Sequence, residues 1–150
     1  MKTNKSKVTK RTTKKAVKKQ IEQSLTDKFL DVVKGLGHNA ELIADDIAKL
    51  SKGDFVVLGA ASSSVGLAAI EIAHSVGAEP IALTRKDEKV QELIKAGVKH
   101  VLQVGVDDLQ KEILALTEGK GARVVFDPVT GPDFEEIIKA TCRDAIVFIY

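Results

Sequence analysis

Ala61, Ser63 and Gly66 stand at the spacing of a phosphate-cradling turn, with Ser62 and Ser64 filling the gaps. Laid on the pattern G-x-G-x-x-G they take its three key positions, and only the last is glycine. The chemistry of such a turn is anion binding. Unpaired N–H groups at a helix start point at a diphosphate, and the positive end of the helix dipole favours its charge. In the glycine pattern the first residue makes the tight turn and the second admits the pyrophosphate to the backbone. The third lets the helix pack closely on the strand. Alanine and serine are the smallest replacements, so close approach is kept, and Ser62, Ser63 and Ser64 add hydroxyl donors. The same residues also suit a small-residue strand-to-helix turn in any α/β domain, and the motif alone leaves both readings open.

A second group is Thr84, Arg85 and Lys89. An NAD site usually places an acid about 20 residues past the fingerprint, on the ribose 2′-hydroxyl. Here a hydroxyl and two cations stand there, which suits the 2′-phosphate of NADP, with arginine able to grip it by two parallel bonds. Asp87 and Glu88 are close, but in the first turn of a helix, where acids are common. The plainer alternative for Arg85 and Lys89 is solvated surface charge. Other reactive types are scattered. Asp107 and Asp108 read as partners of a helix dipole. Cys142 falls near the end of the last helix with no base beside it, which argues against a nucleophile. With His38, His74 and His100 it makes no metal-ligand spacing, so no metal is expected.

The elements that must position these residues follow from hydrophobic period. Phe55 to Leu58 is a short apolar run between Gly53 and Gly59, read as a buried parallel strand. A helical pattern runs from Val65 to Gly77. Strand Pro80 to Thr84 leads to a helix through Val90, Leu93 and Ile94 to Gly97. Strand His100 to Val104 leads to a helix from Asp107 that ends near Gly119. Strand Ala122 to Asp127 leads to the loop Pro128 to Pro132, a helix from Asp133 to Thr141, and a last strand Ala145 to Tyr150. Strands alternating with helices imply α/β architecture: a Rossmann-type, doubly wound parallel sheet of about five strands, order 3-2-1-4-5, lacking its sixth. Ligands in such sheets bind past the carboxyl ends of the strands, which puts Pro128 and Val129 beside a ribose of the cofactor.

Nine of the 23 bases and none of the 21 acids lie in residues 1–20, so residues 21–150 carry a net charge of −7. Residues 1–15 have almost no apolar side chains and are expected to be a disordered basic tail. A weak, non-specific hold on nucleic acid by residues 1–20 and a merely solubilising tail are both open. Residues 16–50 read as a helical hairpin, with Val17, Ile21, Leu25 and Phe29 on one face and Asn39 as cap of the second helix. No apolar run approaches the roughly 18 residues of a membrane span. A single cysteine excludes an internal disulfide and fits a reducing, cytoplasmic setting.

Several segments together resemble one family. Ala60 to Ala73 (Ala-Ala-Ser-Ser-Ser-Val-Gly-Leu-Ala-Ala-Ile-Glu-Ile-Ala) is similar to the cofactor domain of the medium-chain dehydrogenase/reductase superfamily, in its zinc-independent, quinone-oxidoreductase-like branch. Gly77-Ala78, Thr84-Arg85, Lys89, Ala96-Gly97, His100-Val101, Leu116-Thr117, Gly119 to Gly121, Val124 to Pro132 and Ile146 to Tyr150 match in order. The resemblance covers residues 51–150 and implies an NADP(H)-binding domain of a reductase, with residues 40–52 as a lead-in helix. Family members commonly carry glycine where Thr130 stands, and a β-branched residue disfavours a positive φ there.

Two functions follow as expectations. One is the NADP(H)-binding part of an alcohol-dehydrogenase-like reductase, a fragment or truncated form not competent alone. The other is a non-catalytic interaction protein, a degenerate nucleotide fold with a basic arm for nucleic acid or a partner chain. The edge strand 145–150 is also expected to favour a homodimer.

Overall fold

The computed structural model describes residues 49–149. The basic tail, the helical hairpin and Asn39 lie outside the described residues, as does Tyr150. Nine elements alternate along the described residues. The strands are β1 (Phe55–Leu58), β2 (Glu79–Thr84), β3 (His100–Gln103), β4 (Ala122–Asp127) and β5 (Thr141–Ile149). The helices are α1 (Ser64–Val76), α2 (Asp87–Lys95), α3 (Leu109–Leu116) and α4 (Phe134–Lys139). All strand pairs are parallel, in the order β3-β2-β1-β4-β5, so the expected Rossmann-type topology is the one the chain adopts.

Side-chain alternation splits the core between the two faces of the sheet. Val56 and Leu58 of β1 pack with Ile70 of α1 and Leu93 of α2. Val57, between them, packs on the other face with Ile113 of α3 and Ile137 of α4. Both faces of β1, the central strand, are therefore covered, which is why it reads as an unbroken apolar run. Phe126 is fully buried on β4, and its ring meets Phe148 of β5 edge-on at 6.1 Å between centroids.

Helix ends follow local chemistry. Gly77, at φ 80, ends α1 in the left-handed conformation that glycine takes without strain. Asp108 caps α3, its carboxylate accepting from Lys111 N (3.0 Å). Asp107 instead accepts from Gln103 N (2.6 Å) and fastens the loop after β3, so the two acids have separate duties.

Two boundaries differ from the sequence reading. The last helix stops at Lys139, and β5 starts at Thr141 rather than Ala145, which places Cys142 in a strand and not at a helix end. The cause is a bulge: Ala122 pairs with Thr141 but Val124 with Ile146, so extra β5 residues arch outward. Gly121 permits this, since a Cβ there would lie 2.5 Å from the Thr141 backbone carbon. Arg123 Nη1 donates to Asp144 O across the arch. At the other end, Lys49 to Lys52 form turn and loop, so the lead-in helix does not extend through Lys52. Leu50 there is buried against the α1 face.

Candidate functional site

The carboxyl ends of β1, β2 and β4 open on one crevice, and its floor is built where β1 turns into α1. Gly59 N donates to Phe126 O at 2.9 Å, locking the turn to β4. A Cβ on Gly59 would lie 2.1 Å from Asp127 Oδ1, so only glycine fits there. Ala60, at φ 47, is the left-handed residue of the turn, one before Ala61. Ala61 is fully buried, and Gly66 lies against it. A Cβ on Gly66 would come 2.5 Å from Ala61 O, so the last glycine of the pattern is required by a backbone contact.

Ser63 is the N-cap of α1, and its Oγ accepts from Gly66 N at 3.1 Å. Its own N–H donates to Ala60 O (2.9 Å). That leaves the N–H groups of Ser64 and Val65 as the uncommitted donors of the first turn among the described residues. Ser63 and Ser64 are exposed, so water or an anion reaches this corner.

Beside the turn is a cavity of about 260 Å³. Its cationic rim comes from the end of β2 and the start of α2: Arg85, Lys86 and Lys89 all border it. Thr84 is buried, and its hydroxyl is engaged in shaping that corner, accepting from Lys86 N (3.2 Å) and donating to Lys86 O (3.3 Å). Lys89 Nζ donates to both carboxylate oxygens of Glu92, at 2.9 and 2.7 Å.

The opposite wall is the loop after β4 and helix α4. Asp127 is 4% exposed, the one buried acid among the described residues. Its Oδ1 accepts from Val129 N (3.0 Å) and its Oδ2 from Thr130 N (3.3 Å). Those two bonds satisfy a carboxylate that would otherwise be costly to bury, and they hold the loop in a tight bend. Thr130 takes φ 39 in that bend, so the positive φ of a glycine is kept despite the β-branch. Phe134, Ile137, Leu83 and Val104 supply apolar wall.

Of the residues singled out from sequence, Ser62, Thr84, Arg85, Lys89 and Val129 line this cavity. Ala61 and Gly66 form the packed corner beneath the turn, and Ser63, Ser64 and Val65 start the adjacent helix. Pro128 is half-buried between Asp127 and Val129 and does not line the cavity. Sequence reasoning missed Gly59, Lys86, Asp127 and Gly131. The available signal for Asp127 was a lone charge closing an apolar strand; for the two glycines there was none beyond composition.

Three comparisons with known proteins bear on this site. The family model described as "Zinc-binding dehydrogenase" matches residues 64–150. A mycocerosic acid synthase-like polyketide synthase of Mycolicibacterium smegmatis is 33% identical over 87 residues, 58% of this chain and 4% of that protein. A 2-haloacrylate reductase of Burkholderia is 28% identical over 93 residues, 62% of this chain and 28% of that protein. Among solved structures, JamJ enoyl reductase superposes with a TM-score of 0.61 at 32% identity, covering 68% of this chain and 31% of that one. The chain thus spans a minor part of the length of these relatives.

Among the described residues no three His, Cys, Asp or Glu side chains come together. His74 is on α1, His100 on β3 and Cys142 on β5, so the described residues offer no fit for the zinc that the family's description names. No described helix is long and apolar enough to cross a membrane.

Proposed function

The chain belongs to the zinc-binding dehydrogenase family of the medium-chain dehydrogenase/reductase superfamily, within its cofactor-binding domain, and on that premise we propose that it binds NADP(H) for a reductase of quinones or enoyl compounds. The family implies a nicotinamide dinucleotide; the choice of NADP(H) over NAD(H) is our reading. The observation that carries it is the cationic rim. Arg85, Lys86 and Lys89 border the cavity at the end of β2, where a NAD site would present an acid.

In this reading the diphosphate rests against the Ser64 and Val65 N–H groups and the Ser62 to Ser64 hydroxyls, above the corner packed by Ala61 and Gly66. The adenosine 2′-phosphate meets Arg85, with Lys86 and Lys89 adding charge. Lys89 is shared with Glu92, so it contributes as a diffuse cation rather than a fixed ligand. Thr84 shapes the corner. Pro128 and Val129 border a ribose, held there by Asp127. When bound, the nicotinamide supplies a hydride. Positioning a substrate against it belongs to the whole protein; the acids that line the cavity are the buried Asp127, whose oxygens are engaged, and Asp133 at the start of α4. Turnover by this chain alone is not expected. The setting is cytoplasmic in this proposal, without metal.

Titration of NADPH with the full chain, followed by nicotinamide fluorescence, tests the reading. Saturable enhancement is expected, lost on Arg85→Glu. Absence of saturation at millimolar protein would sink it. The second expectation, an interaction protein with a basic arm, rests on the nine bases of residues 1–20. It would show as salt-sensitive DNA binding that disappears when those residues are removed.

A further inference from the structure

Arg85 and Gly131 belong to opposite walls of the cavity, one at the end of β2 and the other in the loop after β4. Yet a Cβ built on Gly131 would lie 2.8 Å from Arg85 Nη2. The guanidinium therefore reaches over the mouth and rests on the space that the missing side chain leaves. Gly131 is not among the glycines at positive φ, so what distinguishes it is this close approach; a methyl there would displace the guanidinium rather than disturb the backbone. Nothing else fixes the head of Arg85: no ion pair or hydrogen bond joins it to the described residues. Gly131 is itself placed by Asp127, whose carboxylate gathers the N–H groups of Val129 and Thr130 just before it.

We propose that Gly131 is a specificity-determining position: by leaving room for the Arg85 guanidinium across the cavity mouth, it sets the preference for a 2′-phosphorylated adenosine over the unphosphorylated form. This rests on the NADP(H) reading above and adds to it a residue on the far wall. A two-bond grip on phosphate depends on the plane and position of the guanidinium, so a displacement of a few tenths of an ångström at Nη2 weakens it. The diphosphate contacts, at the start of α1, lie elsewhere and are unaffected. A methyl at 131 strikes the mobile end of a long exposed side chain, so the fold tolerates it.

The test is a double-mutant cycle with Gly131→Ala and Arg85→Ala in the full chain, reading the dissociation constants of NADPH and NADH and the thermal midpoint. Gly131→Ala is expected to weaken NADPH about tenfold, the worth of one charge-assisted bond, and to leave NADH and the midpoint unchanged. In the Arg85→Ala background it should have no further effect. Equal weakening of both nucleotides, an effect that persists without Arg85, or no effect at all would overturn the inference while leaving the NADP(H) reading intact. If the unaltered chain saturates with neither nucleotide, both fall together.

Discussion

At the scale of single residues, the crevice depends on where a side chain is absent and where one carboxylate is buried. Gly66→Ala would force a methyl to 2.5 Å from Ala61 O, and neither backbone can yield cheaply. Overpacking of this kind costs about 1–3 kcal/mol, to be read by urea denaturation, and NADPH affinity should fall with it. Asp127→Ala leaves the Val129 and Thr130 N–H groups without their acceptor; loss of about 1–3 kcal/mol is expected, with weaker NADPH binding. An Asp127→Ala chain as stable and as tight as the parent would refute that role. Gly66 was legible because a spacing pattern announces it. Gly59 and Gly131 were not, because their neighbours, Asp127 and Arg85, come from other strands and sequence distance hides the contact.

Elements were readable to the extent that their hydrophobic period was unambiguous. β1, β2, β4 and α1 each follow from runs or faces of apolar residues with a glycine or proline close to at least one end. The start of β5 was not readable, since Thr141 to Ala145 carry no strand signal of their own and are drawn into the sheet by pairing with Ala122 and by the gap at Gly121. The cap of α1 is a further quantity that belongs to this scale. Ser63→Ala should cost about 1 kcal/mol and Ser63→Gly only a few tenths, because glycine tolerates the N-cap backbone. On α4, the Lys139 ammonium hydrogen-bonds the Glu135 carboxylate at 2.6 Å and holds its pKa below the usual value. A lowered folded-state pKa means that this pair stabilises above the ordinary glutamate range, and that its contribution is lost as pH falls through Glu135's own pKa. Both groups are exposed, so the effect is small and screened by salt; Glu135→Gln should abolish its pH dependence in an acid titration of stability.

For the whole molecule, alternation and handedness imply a doubly wound parallel sheet, and the order β3-β2-β1-β4-β5 is the Rossmann-type one expected among those they allow. The site follows from that order, because β1 sends its crossover to one side and β4 receives the chain on the other, leaving a crevice between their carboxyl ends. What sequence could not supply is the far wall: α4 and the Asp127 loop close the cavity only through tertiary packing. The direct check on the central claim is an ¹⁵N NMR titration of the full chain with NADPH. Amide shifts are expected to concentrate at Ser64 and Val65, at Arg85 to Lys89, and at Val129 to Gly131. Shifts confined to residues 1–20, or none in the β1–α1 turn at saturating nucleotide, would contradict the assignment of this crevice to a dinucleotide.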